Sequence, residues 1–396
     1  MKVVVLGGSG LQGRAALQDL GNNEDVKKVI CADVSFEDLD SFSRHLNMEK
    51  IEKREVDATS AEELEILFAE DIDIVIDLLP KQFNDFIAKV AIKTEVPLVN
   101  CSYANGLSDE VFEKAKEKGV SIVPESGLDP GIDLVLCGYG VNQLDEVHEM
   151  YSYCGGVPEA NAADNILKYK ISWNLDSILM SYKRPSVMKQ NGEIVDIPAK
   201  EQHNKEWIND ITVSGIQGLE SIPNGDAMSF AETLGIDYEV INMERRSIRW
   251  SGHAQVLRDI KELGLLETVP VEGIEDHITP YEFMKKHLEP RLQYKKDEKD
   301  LVLMKNIIRG KKNGQSQEII YEMLDKRDSH TGLFAMNRTV GYTASIVAQM
   351  VANGTITKKG VLSPTTDIPH RLFIDEINKR GITIKETKRQ LNKSFA

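Results

Sequence analysis

Basic residues are in deficit: 48 Lys and Arg against 63 Asp and Glu leave a formal charge of -15. A general binder of nucleic acid or of an anionic membrane usually carries a basic surface, so both classes are set aside. Dispersed acidic charge is otherwise an ordinary solvated surface and names no partner. Long apolar runs are also missing, none approaching the length of a membrane span. The first residues carry no basic-apolar-small leader, which makes the cytoplasm the expected compartment. Cysteine is scarce: Cys31, Cys101, Cys137 and Cys154 show neither CxxC spacing nor a Cys/His cluster. No metal site or disulfide framework is therefore expected, only reduced thiols. There is no internal repeat and no low-complexity tract. What remains is 396 residues of ordinary globular composition, enough for two domains with a substantial core.

The chain opens on a strong local pattern. Met1 to Leu6 is an apolar run of strand formers, Gly7-Gly8-Ser9-Gly10-Leu11-Gln12-Gly13 follows, and Arg14 to Leu20 is helical. A second strand, Val29 to Ala32, ends at Asp33. Strand, turn, helix, strand and terminal acid together form a dinucleotide fingerprint. Gly8 allows the turn, Gly10 lets backbone approach a pyrophosphate, and Gly13 lets helix and strand pack closely. The phosphates then meet the N–H groups and dipole of a helix N-terminus. Asp33 accepts hydrogen bonds from the adenosine ribose and repels a 2'-phosphate, with no Arg or Lys in Val34 to Glu37 to offset it. NAD is therefore expected in preference to NADP, held by Gly8, Ser9, Gly10, Leu11, Gln12, Gly13 and Asp33.

Strands and helices then alternate. Phe36 to Met48 reads as helical, Glu52 to Val56 as a strand ending at Asp57, and Ala61 to Ala69 as a helix capped by Thr59 or Ser60. Asp73 to Pro80 is a fourth strand with its loop. In a doubly wound sheet such loops leave the carboxyl edge where the ligand crevice lies, so Asp57, Leu79 and Pro80 join the cofactor set. Asn84 to Lys93 and Asp109 to Lys118 are helical, and Pro97 to Cys101 and Val120 to Pro124 are strands. The spacing requires parallel pairing and right-handed crossovers. The texture changes at Glu125. Ser126 to Asp133 is a turn-rich hinge, followed by short strands (His148 to Tyr153, Glu193 to Ile197, Ser247 to Trp250) and helices (Ala254 to Leu263, Thr279 to His287). Leu301 to Arg309 and Gln317 to Leu324 form a strand pair across Lys311-Lys312-Asn313-Gly314, and Asn337 to Asn353 is an amphipathic helix.

The motifs Gly127-Leu128-Asp129-Pro130-Gly131-Ile132-Asp133, Ser152-Tyr153-Cys154-Gly155-Gly156-Val157-Pro158, Tyr169-Lys170-Ile171-Ser172-Trp173, Ile248-Arg249-Trp250-Ser251-Gly252-His253 and Arg338-Thr339-Val340-Gly341-Tyr342 together resemble the saccharopine dehydrogenase family. That family includes the glutamate-forming saccharopine reductases and the L-lysine 6-dehydrogenases. The resemblance covers nearly the whole chain. It implies an α/β fold: a Rossmann-type doubly wound parallel sheet (1–126), an inserted α+β substrate-binding and dimerisation domain (127–336), and a C-terminal segment (337–396) packing back on the Rossmann domain. It also implies hydride transfer between nicotinamide and a carbon bearing nitrogen, usually in a homodimer. The Cys154 and Tyr169 motifs look like the reductases. Asp33 and Gly354 to Val361 look closer to the NAD-using lysine enzymes. The reductases carry an arginine after a Pro-Asn pair to meet a substrate carboxylate, whereas here Gly225 follows Pro223-Asn224.

Amine oxidation leaves an imine that water must attack, so the site needs a hydride acceptor, a proton-exchanging group and cations for carboxylates. Tyr103, Asp129 and Cys154 match family positions near the nicotinamide and are the catalytic candidates. Their plainer readings are a packed ring, a turn residue before Pro130 and a small buried thiol. For substrate the candidates are Arg246, Arg249 and Arg338, whose guanidinium forks match a carboxylate, with His253, Tyr169 and Lys170. Against these roles, Arg245-Arg246 also reads as a solvated ion-pair cluster, His253 as a structural histidine, and Tyr169 to Trp173 as an amphipathic strand with a snorkelling lysine. Ile346 to Val351 reads as helix core. The expected activity is an NAD-dependent saccharopine dehydrogenase releasing glutamate, acting on a small amino-acid substrate. Its rivals are a lysine 6-dehydrogenase, a carboxynorspermidine synthase-like enzyme and a non-catalytic NAD sensor.

Overall fold

The computed structural model describes residues 1–273 and 278–392, and the chain divides into two compact units. Unit 1 is Met1–Tyr139 with Asp328–Ile382; unit 2 is Gly140–Arg327 with the residues from Thr383 onward. The divisions fall at 139/140 and 327/328, beside the expected 126/127 and 336/337, because the chain crosses within the helix Ile132–Val141 and just after a strand ending at Lys326.

In unit 1, strands β1 (Lys2–Leu6), β2 (Lys28–Asp33), β3 (Ile51–Glu55), β4 (Ile74–Asp77), β5 (Leu98–Asn100) and β6 (Ser121–Val123) pair in parallel in the order 6-5-4-1-2-3, and Gly360–Val361 adds a seventh strand beside β6. The order reverses between β1 and β4, which is the switch point of a doubly wound sheet. Helix α1 (Leu11–Asn22) begins on Gly10. Its Gly13 is required by contact: a Cβ there would lie 2.4 Å from the Gly7 carbonyl oxygen. The helix Ala335–Ala352 packs on α1 through Gly341, whose added Cβ would meet the Gln12 oxygen at 2.5 Å. Ile346, Val347, Ala348, Met350 and Val351 are buried, as expected of helix core. The expected Phe36 to Met48 helix is shorter, Glu37–Phe42 followed by a 3-10 turn.

Unit 2 carries a mixed sheet. Its strands are β7 (Glu146–Pro158), β8 (Ser186–Gln190), β9 (Glu193–Ile197), β10 (Asn209–Val213), β11 (Ile216–Pro223), β12 (Asn242–Trp250), β13 (Asp300–Lys312) and β14 (Gln315–Lys326). β7 is twice its expected length, because Gly155 lets it continue past Cys154: a Cβ there would meet the Ile248 oxygen at 2.3 Å. Hairpins turn at Asn191-Gly192, Ser214-Gly215 and Asn313-Gly314. Tyr169 to Trp173 is irregular segment, not the amphipathic strand, since Tyr169 is buried in an apolar cluster and Lys170 in an ion-pair cluster. The last strand, Ile384–Gln390, pairs antiparallel with β14 in unit 2, so the C-terminal segment is shared out: up to Ile382 it belongs to unit 1, beyond that to unit 2.

Candidate functional site

At the switch point of unit 1 the predicted cofactor residues come together. The Asp33 carboxylate accepts the Ser9 N–H at 3.0 Å and the Val34 N–H at 2.8 Å, which ties the tip of β2 to the glycine turn. Gly7 faces the β4 loop, where an added Cβ would lie 3.3 Å from Leu79. Gly10 caps α1 with extended backbone and no side-chain cap, so its first N–H groups face outward for an anion. Asp57 is differently employed. Its carboxylate holds the backbone and hydroxyl of Thr59 at 2.8 and 2.7 Å, and those bonds keep it below the ordinary carboxylate range.

A second group gathers at the carboxyl ends of β5 and β6. The Tyr103 hydroxyl lies 3.5 Å from Asp129, and the Ala104 N–H donates to Glu125 at 3.1 Å, so the loops after the two strands are laced together. Beneath them is a feature that sequence reading missed. Asp77 ends β4 with its side chain buried and one oxygen accepting the Leu79 N–H at 3.0 Å. Its second oxygen, the Asn100 amide nitrogen and the Asn84 amide oxygen are buried without hydrogen-bond partners among the described residues. Asp77 and Asn100 are register neighbours on β4 and β5. Burial pushes the Asp77 carboxyl up to about 7. An acid closing the apolar run Ile74-Val75-Ile76 was the available signal.

The substrate candidates separate. Arg338 belongs to unit 1, beside Asp328 at 3.8 Å and the Arg380 carbonyl at 3.3 Å. Arg246 is buried, contrary to the solvated reading: it bonds Glu244 at 2.8 Å, the Ser221 hydroxyl at 3.1 Å and the Trp207 carbonyl, so its fork is engaged inside the sheet. Lys170 does not snorkel either. It is 3% exposed, between Asp164 at 2.9 Å and Glu298 at 2.7 Å.

Arg249, Tyr169 and His253 do meet, around Tyr182, a residue that no pattern in the chain marked out. Arg249 Nε donates to the Tyr182 hydroxyl at 3.2 Å, and its guanidinium lies 5.7 Å from the Tyr169 ring centre. His253 Nδ1 is 2.7 Å from the Leu167 carbonyl, which can only accept, so Nδ1 carries the proton. Nε2 then accepts from Tyr182 at 2.9 Å. The bonds run one way, from Arg249 to Tyr182 to His253 to Leu167. Burial, then Arg249, holds His253 down to about 3, in keeping with a neutral ring. Cys154 is in register with Ser247, two residues before Arg249, so Cys154 and Arg249 share a face of the sheet.

Arg249 is 7% exposed, and no carboxylate lies within 4.0 Å of it among the described residues. Glu220, opposite it across the β11–β12 pair, accepts instead the N–H groups of Gly252 and Ala254 at 2.9 and 2.6 Å. A buried cation without a counter-ion is costly unless a ligand supplies the charge. Beside Tyr182 opens a small apolar cavity lined by Tyr169, His253, Leu175 and Leu257. Among the described residues no cluster of His, Cys, Asp and Glu could hold a metal ion, and no helix is long and apolar enough to cross a membrane.

A family model described as the saccharopine dehydrogenase NADP binding domain matches residues 3–123, and one described as the saccharopine dehydrogenase C-terminal domain matches residues 127–382. The chain is 24% identical over 451 residues to the saccharopine dehydrogenase [NADP(+), L-glutamate-forming] of Saccharomyces cerevisiae, covering 97% of this chain and 99% of that protein. It is 24% identical to the mitochondrial alpha-aminoadipic semialdehyde synthase of Mus musculus, covering 96% of this chain and 47% of that protein, so it spans about half the length of that relative. Among solved structures, apo saccharopine dehydrogenase (L-Glu forming) from Saccharomyces cerevisiae matches with a TM-score of 0.84 at 22% identity, covering 98% and 99% of the two chains. The fold is thus shared along the whole length. The names of the first family model and of the yeast relative point to NADP, against the NAD expected from Asp33.

Proposed function

Because the chain belongs to the saccharopine dehydrogenase family, we propose that it is a nicotinamide-dependent amino-acid dehydrogenase of lysine metabolism. It oxidises the CH–NH bond of saccharopine, and hydrolysis of the imine releases glutamate and 2-aminoadipate 6-semialdehyde. The observation that carries this reading is Arg249, a buried cation with no carboxylate within 4.0 Å among the described residues. A substrate carboxylate supplies the missing charge, and the fork of donors fixes its orientation.

The residues of the glycine turn fit a dinucleotide, with the pyrophosphate on the N-terminus of α1 and the ribose on Asp33. Bound there, the nicotinamide supplies the hydride acceptor. Tyr103 and Asp129 exchange the protons that imine hydrolysis needs, and Cys154 flanks the carboxylate seat on the sheet face of Arg249. On the cofactor, Asp33 supports NAD, whereas the names of the family domain and the yeast relative support NADP. Asp33→Ala decides: we expect the NAD-to-NADP preference to fall by about tenfold, as one lost charged hydrogen bond would give. An unchanged ratio removes Asp33 from that role. A homodimer is taken over from the same resemblance, and light scattering tests its size.

The deciding assay is cofactor reduction, followed by absorbance, with saccharopine and L-lysine offered in parallel. Reduction with saccharopine and release of glutamate is the expected result. Reduction with lysine alone and release of ammonia makes the chain a lysine 6-dehydrogenase, the reading favoured by Gly225, which leaves the turn after β11 without a cation.

A further inference from the structure

A second pair of basic side chains flanks Tyr182. Lys261, on the helix His253–Glu262, is half-buried, with its ammonium 2.7 Å from the Ala199 carbonyl and 2.9 Å from His203 Nδ1. An ammonium only donates, so His203 Nδ1 accepts and its proton sits on Nε2. His203 is 1% exposed and its Nε2 has no hydrogen-bond partner among the described residues. Its ring packs edge-on to Tyr182 at 5.2 Å between centres, while His253 packs on the same tyrosine at 5.7 Å. Gln202, the neighbour of His203, donates to the Pro223 carbonyl at 2.7 Å, which anchors the pair behind the turn where Gly225 offers no charge of its own. No carboxylate lies within 4.0 Å of Lys261 among the described residues. Burial draws its ammonium down to about 8, as happens to a cation with no anion to stabilise it.

We propose that Lys261 and His203 form a second carboxylate seat, on the same Tyr182 that Arg249 contacts, so that the site selects substrates bearing at least two carboxylates. Lys261 supplies the charge. His203 relays it, accepting from the ammonium at Nδ1 and presenting its Nε2–H to the ligand. This rests on the carboxylate role of Arg249 given above, and it explains how a chain with glycine at position 225 can still hold a polycarboxylate.

The test is calorimetric titration of the full chain with glutarate, which has two carboxylates, and butyrate, which has one. Wild type should bind glutarate at least about tenfold more tightly than butyrate, the yield of one added charge-assisted hydrogen-bonded contact. Lys261→Met and His203→Phe should remove that margin while leaving the butyrate affinity in place, and Lys261→Arg should keep it. An unchanged margin in Lys261→Met, or none in wild type, overturns the proposal. If His203→Phe fails to fold, Lys261→Met decides alone, because its side chain is half-buried and on a helix. Saccharopine turnover is measured beside it: a Lys261-dependent glutarate margin without any turnover keeps the seat and rejects the dehydrogenase reading.

Discussion

The turn after β1 and the cluster around Tyr182 meet a ligand with different parts of the chain. From Gly7 to Gly13 the residues are consecutive, and what shapes the site is backbone: capless helix N–H groups, and carbonyls that leave no room for a Cβ at Gly13. Around Tyr182 the partners come from separate elements. Tyr169 sits in an irregular segment, His203 in another, Arg249 on β12, and His253 and Lys261 on the helix that follows. The first site is made by local geometry and survives as a spacing of glycines. The second exists only after tertiary folding, and cations withdrawn from solvent with no carboxylate within 4.0 Å among the described residues define it.

That contrast can be attacked from either side. The largest effect is expected at the arginines. Arg249→Met should lower kcat/KM for saccharopine by about 1000-fold, the consequence of unpairing a buried carboxylate at about 3–5 kcal/mol. It should also raise Tm, because it removes an uncompensated buried charge. Arg246→Met, three residues away, should lower Tm instead, since it strands the buried Glu244 that Arg246 pairs at 2.8 Å. Steady-state kinetics and thermal unfolding on both variants check this; equal Tm losses would mean that Arg249 is a structural arginine like Arg246. Next is Gly13→Ala, whose methyl overlaps the Gly7 carbonyl. It should weaken NADH binding by about 100-fold, for an overpacking cost of about 3 kcal/mol, with unit 2 intact. Fluorescence titration of NADH reads the loss, and normal affinity would show that the turn does not hold the dinucleotide.

The smallest effect concerns Asp77. Burial pushes its carboxyl up to about 7 in the fold, against about 3.9 when unfolded, so the unfolded chain ionises first as pH rises. Wild-type stability contributed by this group therefore falls between about pH 4 and pH 7 and levels off above. Asp77→Asn keeps an acceptor for the Leu79 N–H but does not titrate. Its Tm advantage should widen by about 5 °C from pH 4 to pH 8. A constant gap would show that Asp77 ionises normally in the fold.

The legible and illegible parts of the molecule divide along the same line. The helices Asn84–Lys93 and Asp109–Lys118 have the bounds expected of them, because charge and apolar period mark both ends. The hairpin at Asn313-Gly314 also lies where its turn residues put it. β8, β10 and β11 were not foreseen: β10 is mostly polar and exposed, and pairing with β11, not side-chain pattern, makes it a strand. Arg249 and His253 were found through a matched motif. Tyr182, His203 and Lys261 were not, since a tyrosine, a histidine and a lysine in separate segments carry no joint signal until folding assembles them. Lys170 and Arg246 carried the same chemical signal as Arg249, and only their neighbouring carboxylates set them apart.

The division of the chain also bears on how the molecule can be made and cut. Neither unit is one continuous stretch, because the polypeptide changes unit three times, near residues 139, 327 and 382. An expression fragment ending at Tyr139 would carry β1 to β6 without the helix that covers α1. One running from Gly140 to Arg327 would leave the β14 edge open to other strands. The residues from 384 to 390 emerge from the ribosome after everything with which they pair, so that edge stays uncovered throughout synthesis of the preceding chain. Loss of those few residues to a protease would turn a covered edge into an adhesive one.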